Sequence, residues 1–227
     1  MSSVQISQGR KTETLEELTK KDCWVLFDTS VIMQPLGKGK NDLDFKQVEE
    51  KTYLVSENSK FIRQMAAYVK EKENFFIVSS FIDELSKGCG YRYKKGVNKR
   101  GSLKNRPLLK FCRALRDAEK ERTKLINSFQ ENERIIKLGE KKEIYSIIYN
   151  KYQGILNEFG LTDTNIEFLL TGITLAMTST PVILVSNKYG ILRAGNKIVV
   201  GNYINEKDIR FFNRTDYFKF SPFDIDL

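Results

Sequence analysis

Three short stretches of the chain are continuously apolar, and polar or turn-forming residues flank each of them. They are WVLF, FFIV and VILV, and they lie within residues 24–28, 74–80 and 181–187. An unbroken apolar run is typical of a strand that is covered on both faces, as in a parallel sheet. We therefore predict three buried strands, and KIVVGNY (197–203) is a candidate for a fourth.

Other segments carry apolar residues at the spacing of a helix. The pattern that starts at Ser59 predicts a helix with this serine as its N-cap. Residues 34–58 have turn residues and weak periodicity, and they are predicted as a loop with room for one short element. Residues 107–158 have apolar positions three and four apart, which predicts further helices. Residues 161–177 predict another helix, with Thr162 as its cap.

The alternation of strands and helices predicts an α/β fold with three layers, in which helices cover both faces of a central parallel sheet. We expect residues 1–22 to form a polar N-terminal tail and residues 23–227 to form one domain. A basic loop and a helical insertion at about 90–158 would interrupt this domain. The C-terminal tail is rich in aromatic residues, which we expect to pack on the body.

The composition adds expectations about location. No apolar stretch approaches the roughly 18 residues that a membrane helix needs, and no secretory signal pattern is present. The three cysteines form no CxxC pair, which suits a reducing compartment. We therefore expect a cytoplasmic protein without a membrane partner, and homo-oligomer formation stays open.

Charge and histidine content narrow the chemistry. The chain contains no histidine, which excludes Ser-His and Cys-His catalysis and His-ligated zinc. Its net charge of +9 favours an anionic partner, of which nucleic acid is the commonest. Residues 91–106 form a basic run without an acid, in which two tyrosines are suited to stacking on bases. Its predicted phosphate-binding residues are Arg92, Lys94, Lys95, Lys99, Arg100, Lys104 and Arg106.

Three acids occupy positions where parallel strands end or helices begin. Asp28 ends the first strand, Glu84 lies in the helix after the second, and Asp163 follows the cap of a later helix. Taken singly, each has an ordinary explanation as a turn-forming or first-turn acid. Ligands of open α/β sheets bind at the carboxyl ends of the strands, and carboxylates that converge there repel one another unless a cation joins them. Oxygen ligands select Mg²⁺ or Mn²⁺, which suggests phosphodiester hydrolysis.

Four motifs resemble those of the PIN-domain nucleases. They are VLFDTSVIM, VSSFIDEL, LTDTNIEFLLTGITLA and VILVSNKYGIL, and together they cover roughly residues 23–88 and 160–200. The resemblance implies a PIN-like fold. It also implies that the catalytic and metal-binding acids are Asp28, Glu84 and Asp163, and that Ser30 supports the first of them.

The fourth motif agrees only in part with the family. Ser186 and Asn187 match its supporting positions, but Lys188 stands where the family often has a fourth acid. Asn165 or Glu167, on the helix that begins at Asp163, is a candidate for a further ligand.

The prediction from sequence is a Mg²⁺- or Mn²⁺-dependent endoribonuclease, with RNA favoured over DNA as the substrate and the choice between them left open. The alternative is a catalytically degenerate PIN-like module that binds RNA or a protein partner, and Lys188 motivates it. A relative of the 5′ nucleases agrees less well because that class has more acids in its pocket. A minimal toxin-type ribonuclease would need a shorter chain.

Overall fold

A computed structural model of the chain describes residues 12–33, 45–87, 106–137, 142–178, 181–201, 208–216 and 219–223. Arg106 begins a helix within these ranges. The rest of the predicted basic loop lies outside the described residues, and so do six of its predicted contacts: Arg92, Lys94, Lys95, Lys99, Arg100 and Lys104.

Within the described residues, seven strands form one mixed sheet. The strands are β1 (Glu13–Thr14), β2 (Trp24–Phe27), β3 (Phe75–Val78), β4 (Ile135–Ile136), β5 (Val182–Val185), β6 (Ile209–Asp216) and β7 (Lys219–Pro222). Their order in the sheet is β1-β7-β6-β5-β2-β3-β4. The central strands from β6 to β4 are parallel, whereas β7 and β1 add to the β6 side in antiparallel orientation. The three strands predicted within 24–28, 74–80 and 181–187 are parallel neighbours, whereas β4, β6 and the antiparallel β7 and β1 were not predicted.

Helices cover both faces of the sheet. In the described ranges they are α1 (Leu15–Thr19), α2 (Thr29–Ile32), α3 (Phe45–Glu71), α4 (Ser80–Lys87), α5 (Arg106–Glu131), α6 (Lys142–Glu158), α7 (Asp163–Thr178) and α8 (Tyr189–Val200). One hydrophobic core joins the sheet to α1, α3 and α5, and the other joins it to α6, α7 and α8. The predicted α/β class is confirmed, and the arrangement of the two cores fits three layers. None of the described helices has the length and apolar character to span a bilayer.

Strand β2 shows why the apolar runs are continuous. Val25 and Phe27 point into the core that contains α3, whereas Leu26 points into the core that contains α7. All three side chains are fully buried, because successive residues of a strand face opposite sides of the sheet and helices cover both sides. The predicted strands within 24–28, 74–80 and 181–187 are confirmed as β2, β3 and β5.

Two expectations from the pattern are wrong. Residues 197–200, predicted as the start of a fourth strand, are the last turn of α8, because a short apolar run does not distinguish a strand from a buried helix. Helix α3 begins at Phe45 rather than at Ser59, so much of the predicted loop is helical. Ser59 is not an N-cap, since its hydroxyl donates to the carbonyl of Val55 at 2.8 Å inside the helix.

Within the predicted N-terminal tail, the described residues include strand β1 and helix α1. Thr14 is the N-cap of α1, and its side chain and that of Glu17 each accept a hydrogen bond from the other residue's backbone N–H. This reciprocal capping box starts α1 where the chain leaves β1. Leu15 and Leu18 then bury their side chains in the core.

The segment predicted as a helical insertion also contributes a strand. Ile135 and Ile136, between α5 and α6, pair in parallel with β3 and extend the sheet. The aromatic C-terminal tail packs on the body as expected, because Phe211 and Phe212 of β6 and Phe220 of β7 are buried.

The first part of α3 packs on α5 in a hydrophobic cluster separate from the two main cores. The side-chain amide of Asn58 donates to the carbonyl of Ile32 at 3.0 Å, which places Asn58 level with the end of α2. Residues 45–57 precede this contact on α3 and, at 1.5 Å per residue, form a helical segment of roughly 20 Å. Val48 and Val55 of α3 share a hydrophobic cluster with Phe111 and Ala114 of α5. We call residues 45–57 and 106–118 the helical arm.

Two glycines bring α7 and α8 close to the sheet. A β-carbon at Gly172 would lie 2.5 Å from the side chain of Leu184, and one at Gly195 would lie 2.4 Å from Phe211. Both distances are too short for any larger residue without movement of its neighbours. The close approach fixes the position of α7, whose first turn lies at the site described below.

Candidate active site at the carboxyl edge of the sheet

The site lies at the topological switch point of the sheet, where the chain adds strands first on one side of β2 and then on the other. Strand β2 pairs with β3 on one side and with β5 on the other, and all three strands are parallel. Asp28 follows β2, and Ser186, Asn187 and Lys188 follow β5, so both segments emerge at the same edge. Such a switch point is the usual position of a ligand crevice in open α/β sheets.

Asp28 is completely buried and surrounded by donors. Its Oδ2 accepts hydrogen bonds from the hydroxyls of Ser30 and Ser186, the latter at 2.8 Å. Its Oδ1 lies 3.3 Å from the hydroxyl of Thr29 and 3.4 Å from the ammonium of Lys188. A buried carboxylate is tolerated only when it is hydrogen-bonded and paired, and these contacts meet both needs. The carboxylate makes no capping bond to α2, so the explanation of Asp28 as a side-chain helix cap does not apply.

Glu84 of α4 joins this cluster through a shared hydroxyl. Its Oε2 accepts a hydrogen bond from Thr29 at 2.7 Å, and its Oε1 accepts one from Thr164 at 2.8 Å. A hydroxyl has one proton, so Thr29 donates to Glu84 and makes the longer contact with Asp28. The structure thus brings Asp28 and Glu84 together on either side of one threonine.

Asp163 does not make this contact. It is exposed at the first position of α7 and, among the described residues, forms no hydrogen bond or ion pair with Asp28 or Glu84. The next two residues of the helix reach the site instead, because Thr164 donates to Glu84 and Asn165 accepts from Lys188. The role of Asp163 as the third acid stays a prediction.

Glu167, one turn further along α7, contacts a different residue. Its Oε1 accepts a hydrogen bond from the hydroxyl of Ser79 at 3.3 Å, at the end of β3. Of the two further ligand candidates on this helix, Asn165 is therefore the one in contact with the Asp28 cluster, through Lys188.

Lys188 places a positive charge inside the cluster. Its ammonium lies 2.8 Å from Oδ1 of Asn165 and 3.4 Å from Oδ1 of Asp28. The side chain is 37% exposed, so the ammonium reaches solvent as well as the buried carboxylate. The backbone N–H of Lys188 donates to the hydroxyl of Ser186 at 3.0 Å, which orients that hydroxyl toward Asp28.

Asn187 ties together three segments around the acid. Its backbone N–H donates to the hydroxyl of Ser30 at 3.1 Å, and its side-chain amide donates to the Ser30 carbonyl at 3.2 Å. Its Oδ1 accepts from the backbone N–H of Arg214 at 3.0 Å, which adds β6. Ser30, Ser186 and Asn187 therefore hold Asp28 in place without presenting a charge of their own.

The described donors suit a metal bound through two carboxylates. No three cysteine, aspartate or glutamate side chains in the described part of the chain group closely enough to bind an ion. Mg²⁺, however, is often held by one or two carboxylates together with water and substrate phosphate oxygens. Asp28 and Glu84 match this pattern, and the amide oxygen of Asn165 is a further hard donor. The residues present therefore fit Mg²⁺ or Mn²⁺, with Lys188 as a neighbouring cation.

The negative charge of Asp163 affects the pKa of Tyr145 on α6. Burial raises the pKa of Tyr145 to about 12, and the negative charges of Glu167 and Asp163 act in the same direction. The negative charges of these two carboxylates disfavour the phenolate, which is the ionised form of Tyr145. Asp163 is thus within electrostatic reach of α6.

Thr29 and Thr164 are the site residues that the sequence predictions missed. Each follows an aspartate directly in the motifs DTS and DTN, and this position was the available signal. Comparisons of the chain with protein-family models, curated proteins and solved structures found no match. The likeness to PIN-domain nucleases therefore rests on the motifs.

Proposed function

We propose that this chain is a metal-dependent nuclease with a PIN-like fold that cleaves RNA as an endoribonuclease. The observation that supports the proposal most is the pairing of Asp28 and Glu84 around Thr29 at the switch point of the parallel sheet. Two carboxylates at this edge are suited to a divalent cation and a phosphate.

Four hydroxyl side chains of the protein position the carboxylates of Asp28 and Glu84. Ser30 and Ser186 hold the Asp28 carboxylate from the buried side, and Thr29 and Thr164 orient both oxygens of Glu84. A bound Mg²⁺ or Mn²⁺ supplies Lewis acidity and activates water. Preorganised groups of this kind lower the barrier because they need not rearrange during the reaction.

Charge supports a nucleic acid as the substrate class. The chain carries a net charge of +9, and Lys/Arg contacts with phosphates supply most nonspecific affinity for nucleic acid. The predicted basic run at 91–106 leads from α4, which contains Glu84, to α5 in the helical arm. In this proposal, the basic run and the arm guide a strand toward the two acids.

The test is cleavage of a labelled single-stranded RNA in the presence of Mn²⁺, Mg²⁺ or a chelator. We expect the wild-type chain to cleave only with a divalent ion, and we expect Asp28→Asn and Glu84→Gln to reduce cleavage below detection. Asp83→Asn is the matched control because Asp83 is an exposed neighbour of Glu84 on the same helix. Folding of each variant is checked by its thermal transition, and undiminished cleavage by a folded Glu84→Gln variant contradicts the proposal.

A second candidate function is a nucleic-acid-binding module without catalysis. The contact between Lys188 and Asp28 favours it, because a lysine ammonium supplies positive charge where a metal would. RNA binding without cleavage at any divalent-ion concentration would support this second function and reject the first.

A further inference from the structure

We propose that Lys188 is the built-in cation of this site and that Mg²⁺ or Mn²⁺ binds in competition with it. The proposal rests on the metal-dependent function above and specifies how that site is regulated. In the metal-free protein, the ammonium of Lys188 neutralises Asp28. When a divalent ion binds, the ammonium leaves the carboxylate.

The first support is that Lys188 contacts the same kind of atoms that a hard cation uses. Its ammonium lies 2.8 Å from the amide oxygen of Asn165 and 3.4 Å from a carboxylate oxygen of Asp28. Carboxylate and amide oxygens are ligands of Mg²⁺ and Mn²⁺. A lysine ammonium and a divalent ion therefore compete for these oxygens.

The second support is the charge balance around Asp28. Among the ion pairs of the described residues, Lys188 provides the one that reaches Asp28. The hydroxyls of Ser30 and Ser186 donate hydrogen bonds to the carboxylate, and that of Thr29 lies 3.3 Å from it, but none of the three brings a net charge. Because Asp28 is completely buried, solvent does not take the place of a cation there.

The third support is the difference in freedom between the two partners. Asp28 is fixed by Ser30 and Ser186, whereas the Lys188 side chain is partly exposed on a flexible four-carbon stem. Lys188 is therefore the partner able to move when a divalent ion arrives. A displaced ammonium stays at the carboxyl edge of the sheet, where it can contact a phosphate of bound RNA.

The experiment measures Mn²⁺ binding to the RNA-free protein by calorimetry. We expect Lys188→Met to bind Mn²⁺ about tenfold more tightly than the wild type, because a competing, partly exposed ion pair is gone. Lys188→Arg keeps the cation and should bind Mn²⁺ about as weakly as the wild type. Lys197→Met is the matched control, since Lys197 lies on the same helix and forms an ion pair with Glu158 at 2.7 Å.

Thermal unfolding gives a second readout that does not depend on catalysis. Without a divalent ion, Lys188→Met should unfold at a lower temperature than the wild type, because Asp28 has lost its cation. Mn²⁺ should raise the unfolding temperature of Lys188→Met more than that of the wild type. Lys188→Gln replaces Lys188→Met in both measurements if the methionine variant does not fold.

The outcomes separate this inference from the proposed function. Equal Mn²⁺ affinity in the wild type and Lys188→Met overturns the competition and leaves a metal-dependent nuclease in place. Mn²⁺ binding by neither protein overturns both. Tighter binding by Lys188→Met than by both Lys188→Arg and Lys197→Met supports the competition.

Discussion

The start of α2 and the start of α7 carry nearly the same local sequence but differ in their surroundings. Asp28-Thr29-Ser30 and Asp163-Thr164-Asn165 both place an aspartate before a threonine at the beginning of a helix. Both threonines donate to Glu84, one to each of its carboxylate oxygens.

The aspartates of the two motifs have opposite environments. Asp28 is completely buried among donors, whereas Asp163 is exposed. The reason is that Asp28 ends a central strand with a neighbour on each side, whereas Asp163 follows the turn between α6 and α7. A shared motif therefore reproduces the threonine contact but not the burial of the acid.

The largest difference should appear in the stability of Asp28→Asn and Asp163→Asn. An asparagine at position 28 turns an amide donor toward hydroxyls and an ammonium that need an acceptor. We expect Asp28→Asn to lower the free energy of unfolding by about 2–3 kcal/mol. Asp163→Asn should change the free energy of unfolding by at most about 0.5 kcal/mol, because Asp163 is exposed and interacts with the dipole at the helix start. Urea unfolding measures both values, and equal losses would contradict the contrast between the two regions.

An intermediate loss of stability is expected at Glu84, which accepts hydrogen bonds from the threonines of both motifs. Glu84→Gln keeps one oxygen acceptor but presents an amide group to the second threonine. We expect a loss of about 1–2 kcal/mol in the free energy of unfolding. The neighbouring exposed acid gives the control, and Asp83→Asn should stay within about 0.5 kcal/mol of the wild type. A loss in Glu84→Gln no larger than in Asp83→Asn would mean that the threonine contacts add little stability.

The smallest effect at neutral pH should come from Tyr145, beside Asp163. Its pKa in the folded protein is about 12, above the value near 10 of an unfolded tyrosine. Its contribution to stability is therefore complete below about pH 10 and declines as the pH rises toward 12. We expect the wild type to lose more unfolding free energy than Tyr145→Phe between about pH 9 and about pH 11. Identical pH profiles of the two proteins would show that Tyr145 does not resist ionisation.

Much of the fold was predictable because its strands are covered on both faces. The runs within 24–28, 74–80 and 181–187 are continuous for this reason, and they form the neighbouring parallel strands β2, β3 and β5. Strands β1, β4, β6 and β7 were not predicted, because none of them is a continuous apolar run of the kind that marks the three central strands. The start of α3 was missed for a similar reason, since its first half packs on α5 in the helical arm rather than on the main core.

The candidate site also contains residues that the sequence predicted and contacts that it did not. Asp28 and Glu84 were predicted from their places after parallel strands, and the structure brings them together around Thr29. Lys188 was predicted as a departure from the motif, but its contact with Asn165 depends on how α7 lies against the end of β5.

The sequence by itself determined the α/β class, the three parallel strands β2, β3 and β5, and the edge at which Asp28 and Glu84 lie. These follow from local apolar runs and from the rule that parallel strands end at a common edge. Only the tertiary structure decided that Asp28 is buried and paired with Lys188, while Asp163 stays exposed. Burial and pairing depend on the distances between side chains that are far apart in the chain, and the local pattern of residues does not contain those distances.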